Sequence, residues 1–149
     1  MNKDLMFSSN KDDWETPQAF FDELNKEFNF EYDVACNYKN NKCKHGNINS
    51  IADGECWIGS VFCNPPYSRG LQKKFIKKAW QEAQEGYENT IVMLLPARTD
   101  TIAFHKYIYN KAEIRFLKGR LKFEINGVPS KNAAPFPSML VIYRNKEQE

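Results

Sequence analysis

Ser60-Val61-Phe62-Cys63-Asn64-Pro65-Pro66-Tyr67-Ser68 is the stretch on which the reading of this chain turns. Ser60 to Cys63 is short and apolar, as a buried strand is, and it runs straight into Asn64-Pro65-Pro66-Tyr67. Downstream, Leu71, Phe75, Ile76, Ala79, Trp80 and Ala83 recur at helical spacing, which predicts a helix from Gly70 to Glu85. Gly86 stands where a left-handed closing residue belongs. Thr90 to Leu95 is a continuous apolar run suited to a strand buried on both faces. The loop Pro96 to Asp100 and a helix from Thr101 to Asn110 follow. Three strands close the chain, over Glu113–Leu117, Leu121–Ile125 and Ser138–Arg144. Upstream, Thr16 can cap a helix with its hydroxyl and Pro17 suits the first helical position. Phe20, Phe21, Leu24 and Phe28 form that helix's apolar stripe, and a strand spans Phe30 to Ala35. Strands alternating with helices predict an α/β sheet covered on both faces.

The bulk properties narrow the class. The 149 residues, 42% hydrophobic and 27% charged, are read as one globular domain over 1–149, with residues 1–12 flexible. No apolar run approaches the roughly 20 residues of a membrane span. The polar N-terminus resembles no export signal, so the expected location is the cytoplasm. A net charge of +2 requires any nucleic-acid contact to come from local basic patches. Cys36, Cys43, Cys56 and Cys63 contain no C-x-x-C pair, and no metal is expected with His45 or elsewhere.

The motif's chemistry suits one class of problem. The lone pair of an exocyclic aromatic amine is delocalised into its ring, which makes the nitrogen a poor nucleophile. Two acceptors for its N–H hydrogens favour the form with a localised lone pair. The Asn64 side-chain oxygen and the Pro65 carbonyl can be those acceptors. Pro65 and Pro66 fix the backbone, so the acceptors are preorganised. Tyr67 can stack on a base turned out of a duplex. The strand-end position is where ligands bind in open α/β sheets. The plainer alternative is a rigid turn that holds two prolines.

Further ordered motifs accompany it: Asp13-Trp14-Glu15-Thr16-Pro17, Tyr32-Asp33-Val34-Ala35, Leu95-Pro96-Ala97-Arg98-Thr99-Asp100-Thr101, Lys118-Gly119-Arg120-Leu121-Lys122-Phe123 and Phe136-Pro137-Ser138-Met139-Leu140-Val141. From about Asp13 to Tyr143 the chain resembles the phage and prophage-type DNA N6-adenine methyltransferases. The resemblance implies a compact Rossmann-like methyltransferase fold, S-adenosylmethionine as cofactor and double-stranded DNA as partner. It implies catalytic roles for Asn64, Pro65, Pro66 and Tyr67. By the same resemblance, Thr16 and Pro17 help cover the methionine end of the cofactor, and Asp33 and Ala35 close the first strand's cofactor motif. Asp53 resembles the acidic residue near the cofactor's adenine; it can equally be a turn residue before Gly54. Asn64 borders the cofactor as well as the base.

The chain departs from the wider pattern in having Ala35-Cys36-Asn37 in place of a glycine-rich loop. The cofactor carries no pyrophosphate, so such a loop is not chemically required. The interval from Asp33 to Asn64 is short for two full strand–helix units, which predicts a reduced central sheet. Lys73, with Lys74, Lys77 and Lys78, can meet DNA phosphates or form a solvated helix face. Arg98 can serve the site, or pair at the surface while Asp100 caps a helix. Arg120 can contact DNA or lie in a solvent-facing turn. His45 and His105 are expected to be incidental. Residues 126–135 read as a lid, a DNA-contact loop or a hairpin connection. Two other functions fit the motif: methylation of RNA or of a glutamine amide, and a non-catalytic DNA-binding relic of the fold.

Overall fold

The computed structural model describes residues 14–35, 42–43, 45–46 and 54–145. In chain order these form helix α1 (Gln18–Phe28), strands β1 (Tyr32–Asp33), β2 (His45–Gly46) and β3 (Gly59–Cys63), and helix α2 (Arg69–Glu82). Strand β4 (Asn89–Pro96), a π-helical segment (Phe104–Ile108), and β5 (Glu113–Phe116), β6 (Glu124–Ile125), β7 (Val128–Pro129) and β8 (Ser138–Asn145) complete it. The main sheet has the order β2-β1-β3-β4-β8-β5, and β6 and β7 pair separately. The first four strands are parallel, and β8 lies antiparallel between β4 and β5.

Strand β4 explains how the layers close. Ile91, Met93 and Leu95 point to one face, and Val92 and Leu94 to the other; none is more than 1% exposed. The first face packs Phe75, Ile76 and Ala79 of α2 and Phe104, Tyr107 and Ile108 of the π-helical segment. The second packs Phe21 and Leu24 of α1, with Phe123 and Ala134. Each fully buried aliphatic side chain contributes about 1.5–3 kcal/mol, so a strand apolar on both faces is fixed at the sheet's centre. Helices on both faces of a reduced, mostly parallel sheet are the Rossmann-like layout expected from the sequence. No helix among the described residues is long and apolar enough to cross a membrane.

The order of strands also places a crevice. The chain leaves β1 toward β2, then crosses to β3 on the other side of β1. That reversal puts a ligand crevice outside the carboxyl ends of β1 and β3. Asp33 ends β1 in register with Phe62, and Asn64 follows one residue after β3.

Several local expectations are corrected. Pro17 is the cap residue of α1 (φ −57°, ψ 132°), and the Thr16 hydroxyl does not cap the helix. Strand β1 is two residues long, although Glu31 N and Val34 N extend its pairing to Ser60 O and Phe62 O. Helix α2 ends at Glu82, and Gly86 is not left-handed. The Glu82 carboxylate turns inward to accept the Trp57 N–H (2.6 Å) and the Tyr87 hydroxyl, so the chain folds back there. In place of a regular helix to Asn110, the Tyr109 N–H reaches Phe104 O (2.8 Å) and Asn110 closes the segment at φ 61°. Thr101, not Asp100, caps it, its Oγ1 accepting the Phe104 N–H at 3.2 Å. The strand expected over Leu121–Ile125 reduces to β6. It pairs with β7 through Asn126-Gly127, whose positive φ angles of 53° and 78° make a tight hairpin turn. Part of the 126–135 segment is thus a hairpin.

Candidate active site

Asn64 leaves the sheet at the end of β3, and its side chain is held by the segment before α1. Its Nδ2 donates to the Trp14 carbonyl at 2.7 Å and to Thr16 Oγ1 at 3.1 Å. A carbonyl can only accept, so the amide has one possible orientation. Its oxygen then points the other way. Asn64 Oδ1 is buried and has no hydrogen-bond partner among the described residues. Leaving a buried acceptor unpaired costs about 1–3 kcal/mol, and native structures keep few such groups. Thr16, only 3% exposed, therefore serves Asn64 rather than the helix.

The 14–16 segment is itself clamped by the β6–β7 hairpin. Glu15 and Glu124 exchange backbone hydrogen bonds of 3.0 and 2.9 Å, and the Gly127 N–H donates to Glu15 Oε1 at 2.9 Å. Glu124 also caps α1, its Oε2 accepting the Gln18 N–H at 3.2 Å. Lys42 Nζ lies 3.8 Å from Glu124 Oε1. Sequence reasoning missed Glu15 and Glu124. The Asn126-Gly127 pair is a signal for the hairpin, but nothing local indicates which segment the hairpin grips.

Pro65 is buried and Pro66 half-buried. Tyr67 belongs to an aromatic cluster. The Trp14 ring stacks on it (centroids 5.9 Å apart, planes at 23°), and Phe123 and Phe136 lie 5.9 and 5.4 Å away. The Tyr67 hydroxyl is buried without a partner among the described residues. Burial foremost, and then Cys63, pushes its phenol well above the ordinary range against the opposing pull of Arg98. Tyr67 is thus a neutral ring with a free polar end.

Tyr67 also lines a cavity of 610 Å³ between α2 and the segment after β4. Lys73, Arg98 and Asp100 are its charged residues, a net charge of +1, and Ile76, Leu95 and Phe104 are among its apolar ones. Gln72 lines it too, with a buried Nε2 that has no partner among the described residues. The Arg98 guanidinium lies over the Phe136 ring at 5.9 Å. Lys74 and Lys77 are exposed, whereas Lys78 is engaged 3.5 Å from Glu82 and over the Trp57 ring. Arg120 is exposed, donates to the Ala134 carbonyl at 3.4 Å and does not line the cavity. His105 binds the Thr99 carbonyl at 2.8 Å, also off the lining.

On the crevice side, Asp33 is 4% exposed and its Oδ2 accepts the Lys42 backbone N–H at 3.1 Å. Burial first, and Asp33 second, push the Cys43 thiol up to about 12. Ala35 is half-buried against the core. Asp53 lies outside the described residues. The structure thus gathers Thr16, Asn64 and Tyr67 into one cluster, sets Lys73 and Arg98 around the adjoining cavity, and places Asp33 across the crevice.

The family model for DNA N-6-adenine-methyltransferase (Dam) matches residues 4–149. The DNA N-6-adenine-methyltransferase of Escherichia phage T1 is 31% identical over 121 residues, which cover 78% of this chain and 49% of that protein. The chain spans about half the length of this curated relative. The match takes in both elements that meet at Asn64, the N-terminal segment and the strand-end motif. The chain belongs to the DNA N-6-adenine-methyltransferase family.

Proposed function

We propose that this protein transfers a methyl group from S-adenosylmethionine to the N6 amine of adenine in double-stranded DNA. One observation carries the reading: the Asn64 amide is locked so that a buried oxygen, unpaired among the described residues, is left to accept. An amine N–H is the partner that oxygen lacks. The residues also fit the cofactor. Asp33 and Asn64 stand at the carboxyl ends of adjacent strands on either side of the crevice; the Asp33 carboxylate offers an acceptor for the cofactor's amino or hydroxyl groups, and Asn64 borders it. Pro17 and Ala35 flank this side, and the family resemblance adds Asp53 as the acidic residue near the cofactor's adenine; Thr16 is turned to Asn64 instead. When bound, the cofactor supplies an electrophilic methyl group on a sulfonium.

Asn64 Oδ1 and the Pro65 carbonyl accept from N6 and localise its lone pair. With the cofactor bound, N6 would take the methyl group as its bond to sulfur breaks, and would then release a proton to solvent. Preorganised acceptors cost no reorganisation as charge develops, and holding N6 in a fixed orientation would supply much of the rate. Tyr67 stacks on the extruded base, with Pro66 fixing its approach. Lys73 and Arg98 at the cavity meet phosphates, and Arg120 adds a contact outside it. A DNA substrate is compatible with the cytoplasmic location expected from the sequence.

The test is transfer of tritiated methyl from S-adenosylmethionine to DNA, RNA and protein, followed by digestion to nucleosides. Label in N6-methyladenine from DNA is expected. Label confined to RNA or protein would overturn the substrate, and no label anywhere would overturn the activity.

A further inference from the structure

We infer that Thr16 is a positioning residue: its hydroxyl, together with the Trp14 carbonyl, sets the orientation of the Asn64 amide and so determines which atom faces the substrate. The consequence for rate rests on the methyl-transfer reading; the claim about the amide does not.

Asn64 Nδ2 carries two hydrogens and has two acceptors within reach, Trp14 O at 2.7 Å and Thr16 Oγ1 at 3.1 Å. With both engaged, neither hydrogen competes for a substrate acceptor. Rotating the amide by half a turn would set Oδ1 against the Trp14 carbonyl, oxygen against oxygen. Without the hydroxyl, one buried N–H loses its partner and the amide is pinned at one point rather than two. Thr16 is 3% exposed, so water does not readily replace it. The segment is rigid because Glu15, between the two contacts, is paired on its backbone with Glu124 of the hairpin. Residues 109 positions apart in sequence thereby help hold one side chain. The hydroxyl acts through Asn64 and need not touch the reacting atoms.

The test uses Thr16→Val, which keeps the shape and removes the hydroxyl, and Thr16→Ser, which restores it. Transfer kinetics are measured with S-adenosylhomocysteine binding and with exchange of the Asn64 side-chain amide protons by NMR. Thr16→Val is expected to lower kcat about tenfold, the worth of one hydrogen bond felt in the transition state. KM for DNA and Kd for S-adenosylhomocysteine should stay within about twofold, and Asn64 should lose exchange protection. Thr16→Ser should recover both kcat and protection. Unchanged kcat and protection in Thr16→Val would overturn the inference. So would a fall in kcat that tracks lost S-adenosylhomocysteine binding and is not rescued by serine, since Thr16 would then serve the cofactor or the fold. If the wild-type protein transfers no methyl, the functional reading fails alone. The amide exchange then decides: lost protection in Thr16→Val supports the positioning role, and retained protection overturns it.

Discussion

Glu82 offers a perturbation that should separate stability from chemistry. Its carboxylate is 6% exposed and closes the end of α2 away from the Asn64 motif. Oε1 accepts the Trp57 N–H at 2.6 Å and the Tyr87 hydroxyl, and Oε2 lies 3.5 Å from Lys78 Nζ. The Asn89 amide adds bonds to the Glu82 and Trp57 carbonyls at 2.8 and 2.9 Å. The starts of β3 and β4 are thus tied to one helix end. Glu82→Ala strands the Trp57 N–H, worth about 1–3 kcal/mol, and leaves Lys78 without its counter-charge. Breaking a buried charged pair typically costs about 3–5 kcal/mol in all. For a chain of this length that lowers Tm by roughly 6–20 °C. Against a total stability of about 5–15 kcal/mol, Glu82→Ala is severe. Glu82→Gln keeps one acceptor and should cost about 1–2 kcal/mol. Yet the 14 residues of α2 put this brace about 21 Å from the motif. Thermal melts and transfer assays run well below the melt should show a lowered Tm with kcat within about twofold. An unchanged melt in both variants would refute the brace, and a collapse of kcat in a folded Glu82→Gln protein would refute its separation from the site.

Three other outcomes follow from the same geometry. Lys73→Ala should weaken DNA binding and reduce the slope of log K against log salt by about 1; an unaltered slope would take Lys73 off the phosphates. A base stacked on the Tyr67 face that Trp14 covers displaces the Trp14 ring. In protein labelled with 5-fluorotryptophan, the ¹⁹F resonance of Trp14 should therefore shift on adding DNA and S-adenosylhomocysteine while that of the buried Trp57 stays; a fixed Trp14 resonance would contradict that placement of the base. Burial, with Asp33 nearby, raises the Cys43 thiol from 9.0 to about 12, so the folded state holds this proton more tightly than the unfolded chain does. The resulting stability is complete below pH 9 and is lost as pH rises toward 12. Urea titrations at pH 8 and 10.5 should show a larger loss in wild type than in Cys43→Ala; equal losses would refute the shift.

The sequence revealed most where one residue pattern had one structural solution. The two-faced apolar run at Ile91–Leu95 fits a central strand, and Asn64-Pro65-Pro66-Tyr67 directly after Ser60–Cys63 fits a strand's carboxyl end. Both stand where the periodicity put them. What the sequence concealed depends on distant partners. Thr16 reads as a helix cap because a hydroxyl before Pro17 commonly is one, but its partner lies 48 residues away. Glu82 looks like a solvent-facing helix residue until Trp57 and Tyr87 are brought to it. The π-helical winding at Phe104–Ile108 satisfies tertiary packing of Phe104, Tyr107 and Ile108 that no local pattern records. Asn126-Gly127 was readable as a turn, but its grip on Glu15 was not. Lys73 and Arg98 lie 25 positions apart and share a cavity only through the packing of α2 beside β4.

The central claim is that the unpaired Asn64 oxygen activates the amine. It is tested most directly by comparing Asn64→Ala with wild type in methyl transfer to DNA and in calorimetric binding of S-adenosylhomocysteine. The account predicts turnover reduced by at least about 10²–10³-fold, the usual cost of deleting a preorganised polar group in a site, with S-adenosylhomocysteine binding largely intact. Turnover equal to wild type in the folded variant would contradict it.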